Sequence, residues 1–445
     1  MLRTDRAAVP AGAPLEVRGA LAVAKQFSGR ARLARPALVN GVVGIVVAPR
    51  GRLRMVLVTA EMALAATMLV GAGLVGRSFQ KLMAVDPGFT SEGAMVMDVS
   101  LPRVRYDTTS KVLGFYDRAL EGMRALPGVS AAAATASLPL SGGTTQWSLD
   151  VEGRDNSATE LSTPYIVSAT TDIFRAMGIS IVRGRVFAAE DRAGSVPVTV
   201  VSEALAREFW PGEEAVGKRV RLSGEDEWMT VVGVVRDVRP EALSAAPRPT
   251  YYLLTSQFAE MTGIVSQGMT LVLRVAGDPA ALTTAARSVV RALDPELPLH
   301  RVQTLESVVE NSVARPRFAV TVLSAFGVSA LVLAVVGVYG VLSHAMTRRR
   351  RELAVRMALG GRPGEVSRLV MGSGLRLAVG GLAVGLGAAL AGARVLEALL
   401  YEVSPTDPVT LVAVGATLLV AAAAASWLPA RRATKVSPAE VLRGE

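Results

Sequence analysis

The most prominent hydrophobic stretch of the chain is Phe318–Ser343, which contains 26 residues and no charged side chain. At about 1.5 Å per residue, a helix of this length reaches about 39 Å, which exceeds the roughly 30 Å of a bilayer's hydrocarbon core. The stretch therefore predicts a transmembrane helix. Four consecutive arginines, Arg348 to Arg351, follow it, and such a cluster marks the cytoplasmic end of a span.

Three further apolar stretches predict membrane helices. The first covers residues 55–79, the third lies at about residues 377–393, and the fourth at about residues 408–430. Arginines precede the first and follow the fourth, whereas Leu396–Asp407, between the third and fourth, has only acidic charges. Because basic residues mark the cytoplasmic side, this pattern predicts four spans with both termini inside the cell. Residues 80–316 and the acidic segment are then outside.

Residues 80–316 contain no apolar run long enough to span a bilayer, and their patterns mix strands with helices. Strand–helix pairs at both ends flank a β-rich middle at about Gln146–Tyr252, which indicates one compact subdomain with a second inserted in it. The predicted fold is an α-helical membrane domain of four transmembrane helices plus a large extracytoplasmic α+β domain. The predicted strands are Ala94–Leu101, Val129–Leu138, Val196–Ser202, Trp228–Val238 and Met269–Val275, and the predicted helices are Lys111–Leu126, Glu203–Phe209, Pro279–Leu293 and Gln303–Ser312.

The chain thus divides into residues 1–54, the first span at 55–79, the large domain at 80–316, and a membrane domain at 317–445. The first segment is basic and contains one apolar run, Ala37–Ala48. The run is too short to span a bilayer and starts too late for a signal peptide. Two interpretations stay open: a segment at the membrane surface, or the remainder of a longer upstream region.

Charge and composition narrow the function. The net charge of +10 is uneven, because residues 80–316 have 23 Lys and Arg against 28 Asp and Glu, while the rest has 25 against 10. A nucleic-acid-binding protein would concentrate basic residues on its folded domain, so this class is disfavoured. The chain has no cysteine and only two histidines, which excludes disulfides, cysteine nucleophiles and multi-histidine metal sites.

Three motifs resemble those of known catalytic or binding sites, and each departs from the pattern that such a site needs. Gly212–Arg219 (GEEAVGKR) is close to the phosphate-binding GxxxxGK[ST] loop, but Arg219 stands where a hydroxyl would bind magnesium. The turn Ser141–Gly143 has no histidine partner nearby, and the acidic cluster Asp150–Asp155 lacks EF-hand spacing. We interpret all three as turns, so no catalytic, cofactor-binding or metal-binding residue is predicted.

Glu61 lies within the first span, where a carboxylate is a functional candidate by default. The alternative is that it lies within two turns of the inner face and reaches the interface or a neighbouring helix. We favour this second interpretation.

Small residues on two spans predict close helix packing. Gly381 and Gly385 are spaced as GxxxG on the third span, and Gly71, Gly73 and Gly76 lie on the first. We expect these positions to permit helix contacts and to favour association with a second copy or a homologous half.

A short amphipathic segment is predicted directly after the arginine cluster, continuous with the second span. Glu352 and Arg356 are four residues apart, Leu353 and Met357 can form an apolar side, and Gly360–Pro363 ends the helix. Its place at the inner face predicts docking on a cytoplasmic partner. The alternative is an interfacial helix held by anionic membrane lipid.

The order of these segments resembles the FtsX/MacB-like permeases of ABC transporters, and within them the C-terminal half of the duplicated permeases of acidobacteria. The resemblance covers about Arg52 to the end. It rests on Leu69–Phe89, Phe174–Phe187, Val200–Val220, Thr230–Arg239, Val335–Gly361, Leu399–Thr410 and Leu428–Arg443.

The resemblance implies a non-catalytic permease in the bacterial inner membrane, with its large domain in the periplasm. A separate ABC ATPase and a second permease unit would be its partners, and it would convert ATP hydrolysis into periplasmic movement for export or envelope-substrate handling. Arg351, Glu352, Arg356 and Met357 fall in the segment that would meet the ATPase. An FtsX-like signalling protein that regulates an extracytoplasmic hydrolase is the alternative.

The resemblance leaves open whether a periplasmic adaptor or an outer-membrane channel joins the assembly. Duplicated members have another half upstream, which residues 1–54 cannot supply. We therefore expect a half-sized permease or a fragment of a longer one.

Overall fold

The computed structural model describes residues 2–3, 16–17, 34–39, 42–47, 52–154, 162–358, 363–397 and 400–434. The chain forms two compact units: Met1–Arg77 with Val320–Glu445, and Ser78–Ala319. The helices are α1 (Arg52–Met83), α2 (Thr109–Arg124), α3 (Ile173–Met177), α4 (Glu203–Phe209), α5 (Thr255–Thr262), α6 (Thr283–Leu293), α7 (Leu305–Ser312), α8 (Ala314–Ala358), α9 (Pro363–Glu397) and α10 (Pro408–Thr434).

The strands follow the same chain order. They are β1 (Leu2–Arg3), β2 (Glu16–Val17), β3 (Ala34–Val39), β4 (Val42–Val47), β5 (Ala94–Ser100), β6 (Val129–Thr135), β7 (Thr145–Gln146), β8 (Leu149–Val151), β9 (Tyr165–Ala169), β10 (Ile181–Gly184), β11 (Val198–Ser202), β12 (Arg219–Leu222), β13 (Met229–Val235), β14 (Thr250–Leu254), β15 (Gly268–Val275) and β16 (His300–Thr304). Strands β3 and β4 pair as an antiparallel hairpin that contains most of the apolar run predicted near the N-terminus.

Among the residues that the structure describes, four helices are long and apolar enough to cross a membrane. The candidate spans are Met55–Met83, Ala314–Thr347, Arg368–Gly392 and Pro408–Arg432. The third begins earlier than predicted because Arg368 and Arg376 continue the helix rather than bounding it. Within the first unit, the helices share a core whose large buried side chains include Met62, Leu74, Val338, Leu342 and Leu418.

Helix α8 is unbroken for 45 residues, so the predicted amphipathic segment forms its last turns. At 1.5 Å per residue the helix extends about 68 Å. The arginine cluster does not interrupt it, since arginine is a good helix former and residues 343–358 contain no glycine or proline. The predicted terminators Gly360 and Gly361 lie outside the described residues.

The second unit is built on one sheet with the order β16-β5-β15-β6-β9-β14-β11-β13-β12-β8, to which β10 adds on β13 and β7 on β9. Strands β5, β6, β15 and β16 come from the two ends of the unit, whereas β7 to β14 come from its middle. The two groups join where β6 meets β9, at the pair Thr135 and Ala169. This topology has the β-rich middle inserted between flanking strand–helix pairs.

Helix α2 shows why the end strands form a separate core. Its apolar residues recur at helical spacing, and Val112, Phe115, Tyr116, Leu120 and Met123 are all buried. They pack against the inward side chains of β5 and β15, where alternate residues face one side of the sheet. The Tyr116 hydroxyl donates to the Gln267 carbonyl oxygen at 2.9 Å, so the buried phenol is satisfied.

The predicted helix at Gln303–Ser312 is wrong in its first two residues. Gln303 and Thr304 belong to β16, where they pair with Val96 and Met95 of β5. Thr304 then caps α7, because its hydroxyl accepts a hydrogen bond from the Ser307 N–H at 3.2 Å. The first four residues of Pro279–Leu293 likewise form a 3₁₀ turn before α6.

Candidate functional site in the membrane helices

Helices α1 and α9 touch through the two glycines of the GxxxG pair. A Cβ added at Gly385 would lie 2.5 Å from the Ala63 carbonyl oxygen and 2.5 Å from the Ala66 Cβ. One added at Gly381 would lie 2.3 Å from the Met62 Cβ. Only glycine permits backbones to approach this closely, so the pair serves a contact inside the chain.

A hydroxyl reinforces the same contact. The Thr67 hydroxyl lies 2.9 Å from the Ala63 carbonyl oxygen of its own helix and 3.2 Å from the Gly385 carbonyl oxygen of α9. Hydrogen bonds of this kind between membrane helices contribute modestly to their association.

The glycines of α1 divide into two groups. A Cβ at Gly73 would lie 2.7 Å from the Thr410 Cγ2, so this position makes room for α10. At Gly71 and Gly76 an added Cβ would meet no described atom within 4 Å. The predicted helix-packing residues therefore include three that face other helices of the same chain and two, the buried Gly71 and the half-buried Gly76, with no close neighbour.

An ion pair joins α1 to the start of α10. The Arg77 Nη1 lies 2.6 Å from the Asp407 Oδ2, with the two residues 330 positions apart in sequence. Asp407 also caps α10, because its Oδ2 accepts from the Thr410 N–H at 2.9 Å and from the Thr410 hydroxyl at 2.7 Å. The hydrogen bonds from Thr410 and the positive charge of Arg77 hold the pKa of the Asp407 carboxyl below its usual value.

Glu61 lies on α1 against α8. A Cβ added at Gly337 would lie 2.1 Å from the Glu61 Oε2, so the glycine leaves space for the carboxylate. The Glu61 side chain is exposed in the isolated chain. This placement matches the interpretation that Glu61 reaches a neighbouring helix.

The predicted coupling residues lie in the last turns of α8. The backbone of Arg351, Glu352, Arg356 and Met357 is helical, and their side chains lie outside the described part of the chain. Their assignment as a docking surface therefore stays a prediction.

The Walker-like stretch is a connection between α4 and β12. The Lys218 Nζ pairs with the Glu213 carboxylate at 2.5 Å, and the Arg219 Nη1 pairs with Glu152 at 2.8 Å. A strand follows at Arg219–Leu222, so the loop does not lead into a helix N-terminus, which a phosphate-binding loop requires.

The acidic cluster near β8 pairs with basic and hydroxyl groups. The Asp150 carboxylate accepts from the Arg221 Nε at 3.0 Å and from the Ser223 hydroxyl at 2.7 Å. Asp155 lies outside the described residues. Among the residues that the structure describes, no group of three His, Asp or Glu is arranged to hold a metal ion.

Sequence reasoning missed the Arg77–Asp407 pair. The cap could have been found, since Asp407-Pro408 followed by Thr410 has an acidic N-cap with proline at the first helical position. The partner could not, because nothing local links Arg77 to a residue so distant in the chain.

Two family models match the chain. Residues 55–292 match the MacB-like periplasmic core domain, and residues 324–438 match the FtsX-like permease C-terminal domain. The first match includes α1 and most of the extracytoplasmic-type unit, and the second includes α9, α10 and most of α8.

Individual relatives agree with these matches. The macrolide export ATP-binding/permease protein MacB of Chromobacterium violaceum is 25% identical over 285 residues, which cover 63% of this chain and 43% of that protein. The ABC transporter permease YknZ of Bacillus subtilis is 22% identical over 271 residues, covering 60% and 66%. The crystal structure of the periplasmic region of MacB from Actinobacillus actinomycetemcomitans aligns with a TM-score of 0.37 and 12% identity, over 52% of this chain and 97% of that one.

The chain spans about 43% of the length of the MacB relatives that it matches. The match to the periplasmic core model alone covers more than half of the chain, and the permease model follows it in the same order. The protein therefore belongs to the MacB/FtsX-type permeases of ABC transporters.

Proposed function

We propose that this permease couples a separate ABC ATPase in the cytoplasm to conformational change of its large extracytoplasmic domain in the bacterial inner membrane. The observation that carries the proposal is the continuity of α8. The helix begins in the extracytoplasmic-type unit, contains the apolar span Ala314–Thr347, and ends at Ala358 after the arginine cluster. An unbroken helix transmits a displacement along its axis, whereas a flexible loop would absorb it.

The start of α8 is tied to the sheet. Strand β16 pairs with β5, and Thr304 at its end caps α7, which precedes α8 with only Val313 between them. A movement of α8 would therefore reach the edge of the sheet through two short, well-hydrogen-bonded connections. In the opposite direction, a change in the sheet would reach the cytoplasmic end of the helix.

Two observations support a partner ATPase. The MacB relatives are named as combined ATP-binding and permease proteins. In this chain the segment that most resembles a phosphate-binding loop is Gly212–Arg219. Its Lys218 is paired with Glu213, and a strand follows the segment. In this proposal, ATP is hydrolysed by the partner ABC ATPase.

Association with a second permease unit forms part of the same proposal. Gly73, Gly381 and Gly385 are already used inside the chain, so the partner would meet other surfaces. Gly76, which is half-buried and has room for a Cβ, is the small position of α1 that remains open for it.

Purification from native membranes in mild detergent tests the proposal. We expect an ABC ATPase and a second permease unit to co-purify with the wild-type chain, and the ATPase to be lost from Arg356→Glu. The matched control is Arg315→Glu, which reverses an exposed arginine at the other end of α8 and should retain the ATPase. A chain that is recovered without any ATPase from native membranes would contradict the proposal.

A further inference from the structure

A groove lies on the face of the sheet opposite α2, beside the last turns of α7. Strands β5, β15 and β16 form its base, α7 forms one side, and the loop after β6 forms the other. The groove has a volume of about 260 Å³. A cavity of about 150 Å³ can hold a benzene ring, so the groove has room for a ligand of that size.

The periodicity of the strands and of α7 sets which side chains face the groove. Asp98 lies between two residues of β5 that pack in the core with α2, so it points to the other side of the sheet. Thr270 pairs with Asp98 across β15 and β5 and shares its face. On α7 the buried Val308 lines the groove, and Asn311 lies three residues further along on the same side of the helix.

A β-bulge in β16 presents Arg301 to the groove. His300 pairs with Asp98 and Gln303 pairs with Val96, so β16 has one residue more than β5 over this interval. Within the bulge Arg301 has a φ of 44°, a left-handed conformation that is uncommon for a residue with a side chain. Bulges and unfavourable backbone conformations often serve to re-aim a side chain at a functional site.

The Asp98 carboxylate holds the Arg301 side chain in place. Its Oδ2 accepts from the Arg301 Nε at 2.6 Å, and its Oδ1 accepts from the Thr270 hydroxyl at 2.6 Å. The terminal nitrogens of Arg301, Nη1 and Nη2, make no hydrogen bond to any of the described residues, and the side chain is 69% exposed. These two nitrogens can pair with a carboxylate through parallel hydrogen bonds.

Amide and apolar side chains complete the groove. The side-chain amides of Gln303 and Asn311 make no hydrogen bond within the described part of the chain, and each can donate to a ligand oxygen. Leu140 and Val308 line the groove and are 8% and 5% exposed. The loop that contains Leu140 is fixed by a hydrogen bond from the Leu140 N–H to the Pro240 carbonyl oxygen at 2.8 Å.

We propose that the groove binds a small carboxylate with an apolar body. The Arg301 guanidinium recognises the charged end, and the amides of Gln303 and Asn311 donate to its oxygens. The apolar body lies against Leu140 and Val308. The site is formed within the extracytoplasmic-type unit and does not depend on the proposed coupling function.

The test uses the full chain in nanodiscs of phosphatidylcholine, a lipid without net charge, and a thiol placed in the groove. Ser312 lines the groove and is half-buried, and its hydroxyl donates to the Val309 carbonyl oxygen of its own helix at 2.7 Å. The chain has no native cysteine, so Ser312→Cys reports on the groove alone. The rate at which methyl methanethiosulfonate modifies this thiol is measured with increasing benzoate or benzamide. The two compounds have nearly the same shape, and only benzoate is charged.

Both compounds should slow the modification, with benzoate half-effective at an about two- to fivefold lower concentration, the range expected for one exposed ion pair. Higher salt should reduce this difference, because it screens the charges. Arg301→Gln, added to Ser312→Cys, should abolish the difference. Arg287→Gln should preserve it, because Arg287 is an exposed arginine of α6, which packs on the other face of the sheet. Neither compound should affect Ser288→Cys, whose thiol is exposed beside Arg287.

No protection of Ser312→Cys by either compound would overturn the site. Equal half-effective concentrations for benzoate and benzamide would overturn the recognition of charge, and a difference that persists in Arg301→Gln would overturn the role of Arg301. The salt dependence is measured without a change at Arg301, so it tests the recognition of charge even if Arg301→Gln fails to fold.

Asn311→Ala changes the groove without breaking a described hydrogen bond of the chain. It should raise the half-effective concentrations of both compounds, because each has an oxygen that accepts from the amide. The unfolding temperature without ligand should not fall. Unchanged half-effective concentrations in Asn311→Ala would overturn the part of the proposal that assigns this amide to the ligand.

Discussion

Replacing Gly385 with alanine should push α1 and α9 apart and destabilise the membrane unit. The new methyl group would lie 2.5 Å from a backbone oxygen of Ala63, which cannot move without moving the helix. Gly387 provides the matched control, since it lies on the same helix and a Cβ there would meet no described atom within 4 Å.

The comparison separates two opposing effects. Alanine is a better helix former than glycine by about 1 kcal/mol, and this gain applies to both variants. Overpacking a tight contact costs about 1–3 kcal/mol, and this cost applies to Gly385→Ala alone. Gly387→Ala should therefore be neutral or stabilising, and Gly385→Ala should be less stable than Gly387→Ala by about 1–3 kcal/mol.

The measurement is thermal stability of the purified full chain in one detergent, followed by the fraction that stays monodisperse after heating. Gly381→Ala should behave like Gly385→Ala, because its Cβ would lie 2.3 Å from the Met62 Cβ. If Gly385→Ala and Gly387→Ala are equally stable, the α1–α9 contact and the packing argument are both wrong.

Three further predictions concern topology, the cap and the nucleotide. A maleimide that reaches the periplasm but does not cross the inner membrane should label Ser288→Cys in intact cells. It should label Glu365→Cys only after the cells are permeabilised. The opposite result would contradict four spans with an external domain. Because the pKa of Asp407 is held low in the fold, chiefly by hydrogen bonds from Thr410, its contribution is complete above the unfolded pKa of about 3.9 and is lost as the pH falls through the folded pKa. Wild type should thus lose more stability on acidification below about pH 4 than Asp407→Asn, and parallel acid profiles would refute the cap. Finally, the purified chain should not bind ATP, and binding that Lys218→Ala abolishes would refute the assignment of that loop.

The features that depend on local pattern could be predicted from the sequence. The uncharged run that ends at Ser343 is enough to predict the second candidate span, Ala314–Thr347. The apolar spacing from Val112 to Met123 predicted α2 and its buried face correctly. Glu203–Phe209 was predicted to the residue from the following Trp210-Pro211, and the structure adds the cap, in which the Ser202 hydroxyl accepts from the Leu205 N–H.

Features that depend on tertiary contact could not be predicted. Gln303 favours a helix by local propensity, but its pairing with Val96 places it in a strand. The GxxxG pair indicated close packing without naming the partner, which is Ala63 on another helix.

Coupling between ATP hydrolysis and the permease is the central claim, and vesicles reconstituted with the co-purified ATPase test it directly. The stimulation of ATP turnover by the permease is compared among wild type, Arg356→Glu, Met357→Asp and the control Arg315→Glu. We expect Arg356→Glu and Met357→Asp to insert normally and to lose the stimulation, because each weakens the docking contact by about 1–3 kcal/mol, whereas Arg315→Glu should retain it. Unchanged stimulation in both Arg356→Glu and Met357→Asp would contradict the assignment of the end of α8 as the coupling site.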